Sequence, residues 1–183
     1  MNKPARLALI LAGTAALSLP MAADTLFTTT LSGALETPPT GSPATGTAMV
    51  DYITASNDLT YSVTFSNLEA GATVAHIHVG APGVPGPVIL PLNLNGAAGS
   101  TSGTFSGTLT AADLTPGDGI NTFQDAINAL FAGNTYVNVH SSLFPAGEIR
   151  GQLGAVPEPG TWGLLGLALA LTTAFGRRRR MKS

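Results

Sequence analysis

The chain lacks cysteine and is poor in charge. None of its 183 residues is cysteine, and only 10% are Asp, Glu, Lys or Arg. The absence of cysteine excludes disulfides, thiolate metal ligands and cysteine nucleophiles. Exported domains often use disulfides, but only small ones depend on them. The part between the two ends, roughly 130 residues, can bury a hydrophobic core of its own.

Basic residues are almost absent from the middle of the chain. Between residues 24 and 156, Arg150 is the only Lys or Arg, whereas nine of the ten acidic residues lie there. An acidic body of this kind excludes nucleic-acid binding through phosphates, which requires a basic face. The sequence also contains no GxSxG elbow and no phosphate-binding glycine loop, and it offers no residues that we would name as catalytic.

The first 23 residues have the three parts of a secretory signal peptide. Lys3 and Arg6 form a basic start, residues 7–19 are apolar and uncharged, and Pro20 precedes two small residues that end at Ala23. This layout predicts a signal peptide over residues 1–23 that is removed after export. The alternative, an internal amphipathic helix, is disfavoured because no polar face follows Arg6.

The last residues combine an apolar segment with a basic end. Residues 161–176 carry no charge, and a helix over them would measure roughly 24 Å, slightly less than the hydrocarbon layer of about 30 Å. They are followed by four arginines, Arg177, Arg178, Arg179 and Arg180. We predict a transmembrane helix with its basic end in the cytoplasm. A buried helix of a soluble domain is the alternative, and the arginines disfavour it.

The tail over residues 156–183 resembles a PEP-CTERM sorting signal. The resemblance rests on Pro157, Glu158 and Pro159, followed by the apolar segment and the basic end. It implies recognition by an exosortase-type processing enzyme in the inner membrane and cleavage near the Pro-Glu-Pro motif. The body would then be released to the cell surface or the extracellular matrix, so that the inner membrane is a transient partner.

Short strands dominate the body. Leu59, Tyr61, Val63 and Phe65 alternate with threonine and serine, which is typical of a strand with one buried face. One segment, residues 121–133, has helical spacing instead, with a capping-box pattern and Gly133 at its end. Its expected apolar face is Ile120, Phe123, Ile127, Leu130 and Phe131. We therefore predict an all-β fold, an antiparallel Greek-key-like β-sandwich with one short helix.

The body is similar to the CHRD domain, which is named after chordin. The segments that carry the resemblance are residues 31–48, 75–88 and 134–153, in that order along the chain. The resemblance implies an extracellular domain over residues 24–155. In chordin the domain belongs to an antagonist of growth factors, whereas bacterial relatives have no settled biochemical role.

All three histidines lie on two predicted strands. His76 and His78 are two residues apart and share one face, while Ala75 and Ile77 take the other. In the last hairpin, a pairing of His140 with Glu148 places the apolar and polar faces of both strands in agreement. It also pairs Asn138 with Arg150 and Tyr136 with Gln152. We expect these polar side chains on an exposed outer face, where the three histidines converge if the two strands are neighbours.

Such a cluster suits Zn²⁺ or Cu²⁺, with His76, His78 and His140 as ligands and Glu148 as an oxygen ligand or supporting residue. The His-x-His pair also looks like part of the copper site of copper/zinc superoxide dismutases, but three histidines are too few for that dinuclear site. The alternative is that the histidines only make hydrogen bonds. For Glu148 and Arg150 the alternative is a local ion pair.

Two functions remain open at this level. The first is a non-enzymatic exported module with a binding or structural role in the cell envelope or the extracellular matrix, where extracellular polysaccharide would be a partner. The second is a copper- or zinc-binding protein, in its strongest form a redox metalloenzyme. The two targeting ends favour the first, and the histidine pattern favours the second.

Overall fold

The alternating segments form strands and the helical segment forms a helix in the computed structural model, which describes residues 23–157. The strands are β1 (Thr25–Ser32), β2 (Thr45–Ile53), β3 (Asp58–Ser66), β4 (Ala72–Val79), β5 (Val88–Leu92), β6 (Gly103–Leu109), β7 (Thr135–Ser141), β8 (Ile149–Gln152) and β9 (Gly154–Ala155). The helix α1 spans Phe123–Phe131, and short 3₁₀ turns span Gly33–Leu35, Asn95–Ala97 and Ala111–Asp113.

The strands form one antiparallel sheet in the order β5-β4-β7-β8-β1-β2-β3-β6, with β9 beside β1. β1 joins the two halves because it pairs with β2 along its length and with β8 at Ser32. The two end strands approach each other, and the Tyr61 hydroxyl of β3 accepts a hydrogen bond from the backbone N–H of Asn93, just after β5, at 2.9 Å. The predicted antiparallel all-β fold with one helix is confirmed. Its strands form one near-barrel sheet, whereas a sandwich would divide them between two sheets.

The inner face of the sheet carries the alternating apolar residues. All four predicted inward residues of β3 are buried, and Phe27, Val137, Val139 and Ile149 are fully enclosed. On β4, Ala75 and Ile77 also face this core. The period of two therefore identified the inner face correctly on both halves of the sheet.

The helix begins at a capping box. The Thr122 hydroxyl accepts from the Asp125 N–H at 3.1 Å, and the Asp125 carboxylate accepts from the Thr122 N–H at 2.9 Å. Gly133, at φ +70°, follows the helix. Phe131 differs from the prediction because it is half-exposed, although its ring packs edge-on against Phe27 at a centroid distance of 5.1 Å. The helix thus covers one end of the core with its other apolar residues.

The two predicted targeting segments fall largely outside the described part of the chain. The predicted helix over residues 161–176 and the signal peptide, except Ala23, are not among residues 23–157. Within residues 23–157, the structure contains no helix that is both long enough and apolar enough to cross a membrane.

Candidate functional site

The three histidines come together because β4 and β7 are neighbours. β4 places His76 opposite Asn138 and His78 opposite Tyr136, and His140 lies two residues beyond Asn138 on β7, opposite Val74. The three side chains project from the same face of the sheet. One nitrogen from each imidazole lies within 4.8 Å of the others. The predicted register between β7 and β8 is also present, with Tyr136 opposite Gln152 and Asn138 opposite Arg150.

Hydrogen bonds to the backbone fix two of the three imidazoles. His78 Nδ1 lies 2.9 Å from the carbonyl oxygen of Gly86, and His140 Nδ1 lies 3.0 Å from that of Pro145. A carbonyl oxygen can only accept, so both Nδ1 atoms must carry the hydrogen and both Nε2 atoms of these neutral rings carry a lone pair. Histidines that ligate metals are commonly oriented in this way.

The lone pairs point into the cluster. His140 Nε2 lies 3.2 Å from His76 Nδ1, which must therefore be the donor when this hydrogen bond forms. His78 Nε2 is buried and has no hydrogen-bond partner among the described residues. A buried acceptor of this kind is costly unless something binds it. The arrangement thus offers imidazole nitrogen lone pairs as ligands for a cation.

Burial keeps the imidazoles neutral. It is the main cause that lowers the pKa of His76 to about 4, and the neighbouring His140 and His78 lower it further. Burial also holds the pKa values of His78 and His140 below the ordinary value, although the hydrogen bonds that they donate to the carbonyl oxygens of Gly86 and Pro145 raise them. At neutral pH the cluster is therefore in the unprotonated form that a metal requires.

The face that carries the histidines is not exposed, contrary to our expectation. Tyr136, Asn138, His140, Glu148 and Arg150 are all buried, and Glu148 is 0% exposed. The reason is long-range, because two loops fold over this face and hydrogen-bond to it. The strand faces were predicted correctly, but their solvent exposure was wrong.

The first covering loop, residues 80–87, binds polar side chains through its backbone. Gln152 Nε2 donates to the carbonyl oxygen of Gly80 at 2.9 Å, and Arg150 Nη2 donates to that of Val84 at 3.0 Å. The Tyr136 hydroxyl accepts from the Gly86 N–H at 3.0 Å and lies 3.2 Å from the Gly86 carbonyl. This loop is therefore anchored by the residues that surround the histidines.

The second covering segment, residues 36–42, binds Glu148. Ser42 Oγ donates to Glu148 Oε1 at 2.7 Å, and the Glu69 N–H donates to the same oxygen at 2.7 Å. The Thr40 hydroxyl donates to the backbone carbonyl of Glu148 at 3.0 Å. Glu148 lies outside the group of three histidines, and its second carboxylate oxygen, Oε2, has no hydrogen-bond partner among the described residues.

Sequence reasoning missed two parts of this site. Glu36 is buried, and burial raises its pKa to about 7 although Arg150 lowers it. The carbonyls of Gly86 and Pro145 supply the imidazole orientation. The only local signals were the proline- and glycine-rich stretches around residues 36–46 and 80–87, which indicate loops but not where the loops fold.

Comparisons with known proteins find two matching families. The family described as CHRD domain matches residues 27–153, which is most of the chain and includes all three histidines. The PEP-CTERM protein-sorting motif matches residues 155–180. No curated protein and no solved structure matches the chain.

Proposed function

This chain belongs to the CHRD domain family, and on that basis we propose that it works at the cell surface or in the extracellular matrix as a non-enzymatic binding or structural module. The PEP-CTERM motif implies export and processing by an exosortase-type enzyme. The predicted boundaries, a signal peptide over residues 1–23, a domain over 24–155 and a sorting tail over 156–183, belong to this proposal. So do the transient inner-membrane anchor and a polysaccharide partner in the matrix.

Deletion of residues 157–183 tests the sorting step. The full chain should enter the membrane fraction and leave it after processing. The truncated chain lacks the tail and should not pass through the membrane fraction. A second variant that replaces Pro157, Glu158 and Pro159 with alanine keeps the apolar segment and isolates the role of the motif. Unchanged localisation of both variants would contradict the proposal, as would normal shortening of the alanine variant.

We also propose that His76, His78 and His140 bind one copper or zinc ion. The observation that carries this proposal is the buried, unpartnered Nε2 of His78 within a group of three neutral imidazoles. Imidazole nitrogen suits both metals, and three protein ligands leave a further coordination position open. Glu148 has an indirect supporting role in this proposal, because its carboxylate holds Ser42, which belongs to the segment that covers the histidine-bearing face.

Metal analysis and titration of the purified full-length protein test this second proposal. We expect one ion per chain with the wild type and a large loss of affinity when all three histidines are replaced by glutamine. Asp118→Asn, which removes an exposed carboxylate outside the group of three histidines, is the control for adventitious binding and should bind like the wild type. Equal affinity of the triple variant and the wild type would show that the histidines do not hold the metal.

A further inference from the structure

Hydroxyl side chains make up most of the outer face of β1, β2, β3 and β6, and the exposed Met49 lies among them. These strands lie side by side, and only β8 separates β1 from β7, the strand that carries His140. Their outward residues repeat every second position, as strand geometry requires. The outward hydroxyl residues are Thr28, Thr30, Ser32, Thr45, Thr47, Thr60, Ser62, Thr64, Ser66, Thr104, Ser106 and Thr108.

One row of this face consists of four threonines. The register places Thr30 beside Thr47, Thr47 beside Thr64, and Thr64 beside Thr104. The last two hydroxyls lie 2.9 Å apart and form a hydrogen bond. Neighbouring strands are about 4.8 Å apart, so the row presents hydroxyl groups at regular intervals across the sheet.

A second row runs parallel to the first and consists of Ser32, Thr45 and Ser66. The two rows are about 6.7 Å apart along the strands, which is the distance between alternate residues. A groove lies between them and is lined by both rows. Between the rows the groove is lined by Leu31, Gly46 and Phe65, the inward residues of the same strands. The side chains of Leu31 and Phe65 are buried in the core, so the floor of the groove is strand backbone. The groove therefore runs across the strands, with hydroxyl groups on both sides.

The groove carries no charge. No acidic or basic residue lines it, and the outward acidic residues of these strands, Asp51 and Asp58, lie toward the other end of the face. The body as a whole is acidic. An acidic polymer would be repelled by the body and would find no cation in the groove. A neutral partner is therefore favoured.

We propose that this groove binds a neutral polysaccharide chain, laid across β1, β2 and β3. Each Ser or Thr hydroxyl both donates and accepts, as sugar hydroxyls do, and the repeated rows suit a repeating polymer better than a single small molecule. The inference rests on the proposed extracellular location, where such polymers would be met. The groove and the histidine cluster share no residue, although Ser32 at the edge of the groove pairs with Arg150 on β8.

Affinity electrophoresis of the full-length protein in detergent tests the inference. The gels contain a neutral glucan, a neutral galactomannan or, as the acidic probe, alginate. We expect retardation by at least one neutral polymer and none by alginate. The variant Thr47→Val with Thr64→Val removes two hydroxyls from the first row while keeping the β-branched shape, and we expect its affinity to fall about tenfold or more.

The matched control is Thr60→Val with Thr108→Val, a cross-strand pair on the same face but away from the groove. It should bind within about twofold of the wild type. Circular dichroism confirms that both variants are folded. The inference is overturned if neither neutral polymer retards the wild type, if alginate retards it equally, or if the groove variant binds as well as the control. None of these results alters the localisation outcome, which the tail deletion measures separately.

Discussion

The guanidinium carbon of Arg150 lies 3.4 Å from the centroid of the Tyr136 ring, and the imidazole of His78 stacks on the same ring at a centroid distance of 4.8 Å. The ring of Tyr136 is therefore held between a buried cation and a candidate metal ligand. Cation–π contacts of this kind contribute up to about 2 kcal/mol when they are desolvated. The stack links the covering loop over residues 80–87 to the histidine cluster, because Arg150, Tyr136 and His78 all bind that loop.

Tyr136→Phe tests how the covering loop is held. The change keeps the ring stack but removes the hydroxyl that binds the backbone of Gly86. We expect the free energy of unfolding to fall by about 0.5–1.5 kcal/mol, because the partly buried Gly86 N–H loses its hydrogen-bond partner. Urea denaturation measures this. Tyr136→Leu, which also removes the stack, should cost more, and an unchanged urea midpoint in the Phe variant would refute the anchoring role.

Gly86→Ala tests the close approach of the same loop to β4. A Cβ at Gly86 would overlap the carbonyl oxygen of Val79, so the loop must move. We expect a loss of stability of more than about 2 kcal/mol and, because the carbonyl that orients His78 also moves, at least about tenfold weaker zinc binding. The control is Gly96→Ala, where a Cβ meets no atom within 4 Å. The control should stay within about 0.5 kcal/mol of the wild type, and equal effects of the two changes would contradict the account.

The histidine cluster predicts a loss of stability in acid. Burial lowers the pKa of His76 to about 4, whereas an unfolded histidine titrates near 6.5. Between these values the unfolded chain binds more protons than the folded chain, so the free energy of unfolding falls as pH is lowered through this window. The lowered pKa values of His78 and His140 act in the same direction. Urea midpoints from pH 8 to pH 4 should therefore decline less in a variant with all three histidines replaced by glutamine, and parallel declines would exclude this cause.

Glu36 has the opposite pH dependence. Burial raises its pKa from 4.5 to about 7, so the folded chain binds the additional proton between these values. Its contribution to stability is present below pH 4.5 and is lost as pH rises toward 7. Glu36→Gln should therefore stabilise the protein at pH 8 by on the order of 2 kcal/mol and have little effect at pH 4.

The exposed Glu69 provides the comparison for this change. Its side chain is in water, so Glu69→Gln should change the free energy of unfolding at pH 8, measured by urea denaturation, by less than about 0.5 kcal/mol. If Glu36→Gln is no more stable than the wild type at pH 8, then ionisation of the buried Glu36 carboxyl group does not destabilise the folded protein.

Local patterns identified the strands and the register between β7 and β8. The alternation in β3 and the agreement of faces between β7 and β8 depend only on the period of two, and the structure has the predicted pairs Asn138–Arg150 and Tyr136–Gln152. The position of His140 beside the His-x-His pair required one further condition, that β4 neighbours β7, and this condition holds.

Long-range contacts could not be read from these patterns. A period of two says which face of a strand is apolar but not how many sheets the strands form, so the joining of both halves through β1 was missed. It also cannot show that a polar face is covered. Arg150 and Glu148 are buried because distant backbone groups of Val84 and Glu69 bind them, and no local spacing signals such contacts.

The metal site can be tested at the level of single nitrogen atoms. In the full-length protein with ¹⁵N-labelled histidine, NMR during zinc titration reports each imidazole nitrogen separately. We predict saturation at one zinc per chain, with the Nε2 resonances of His78 and His140 changing to metal-bound values while both Nδ1 atoms keep their hydrogens. Saturating zinc that leaves these Nε2 resonances unchanged would contradict the metal site.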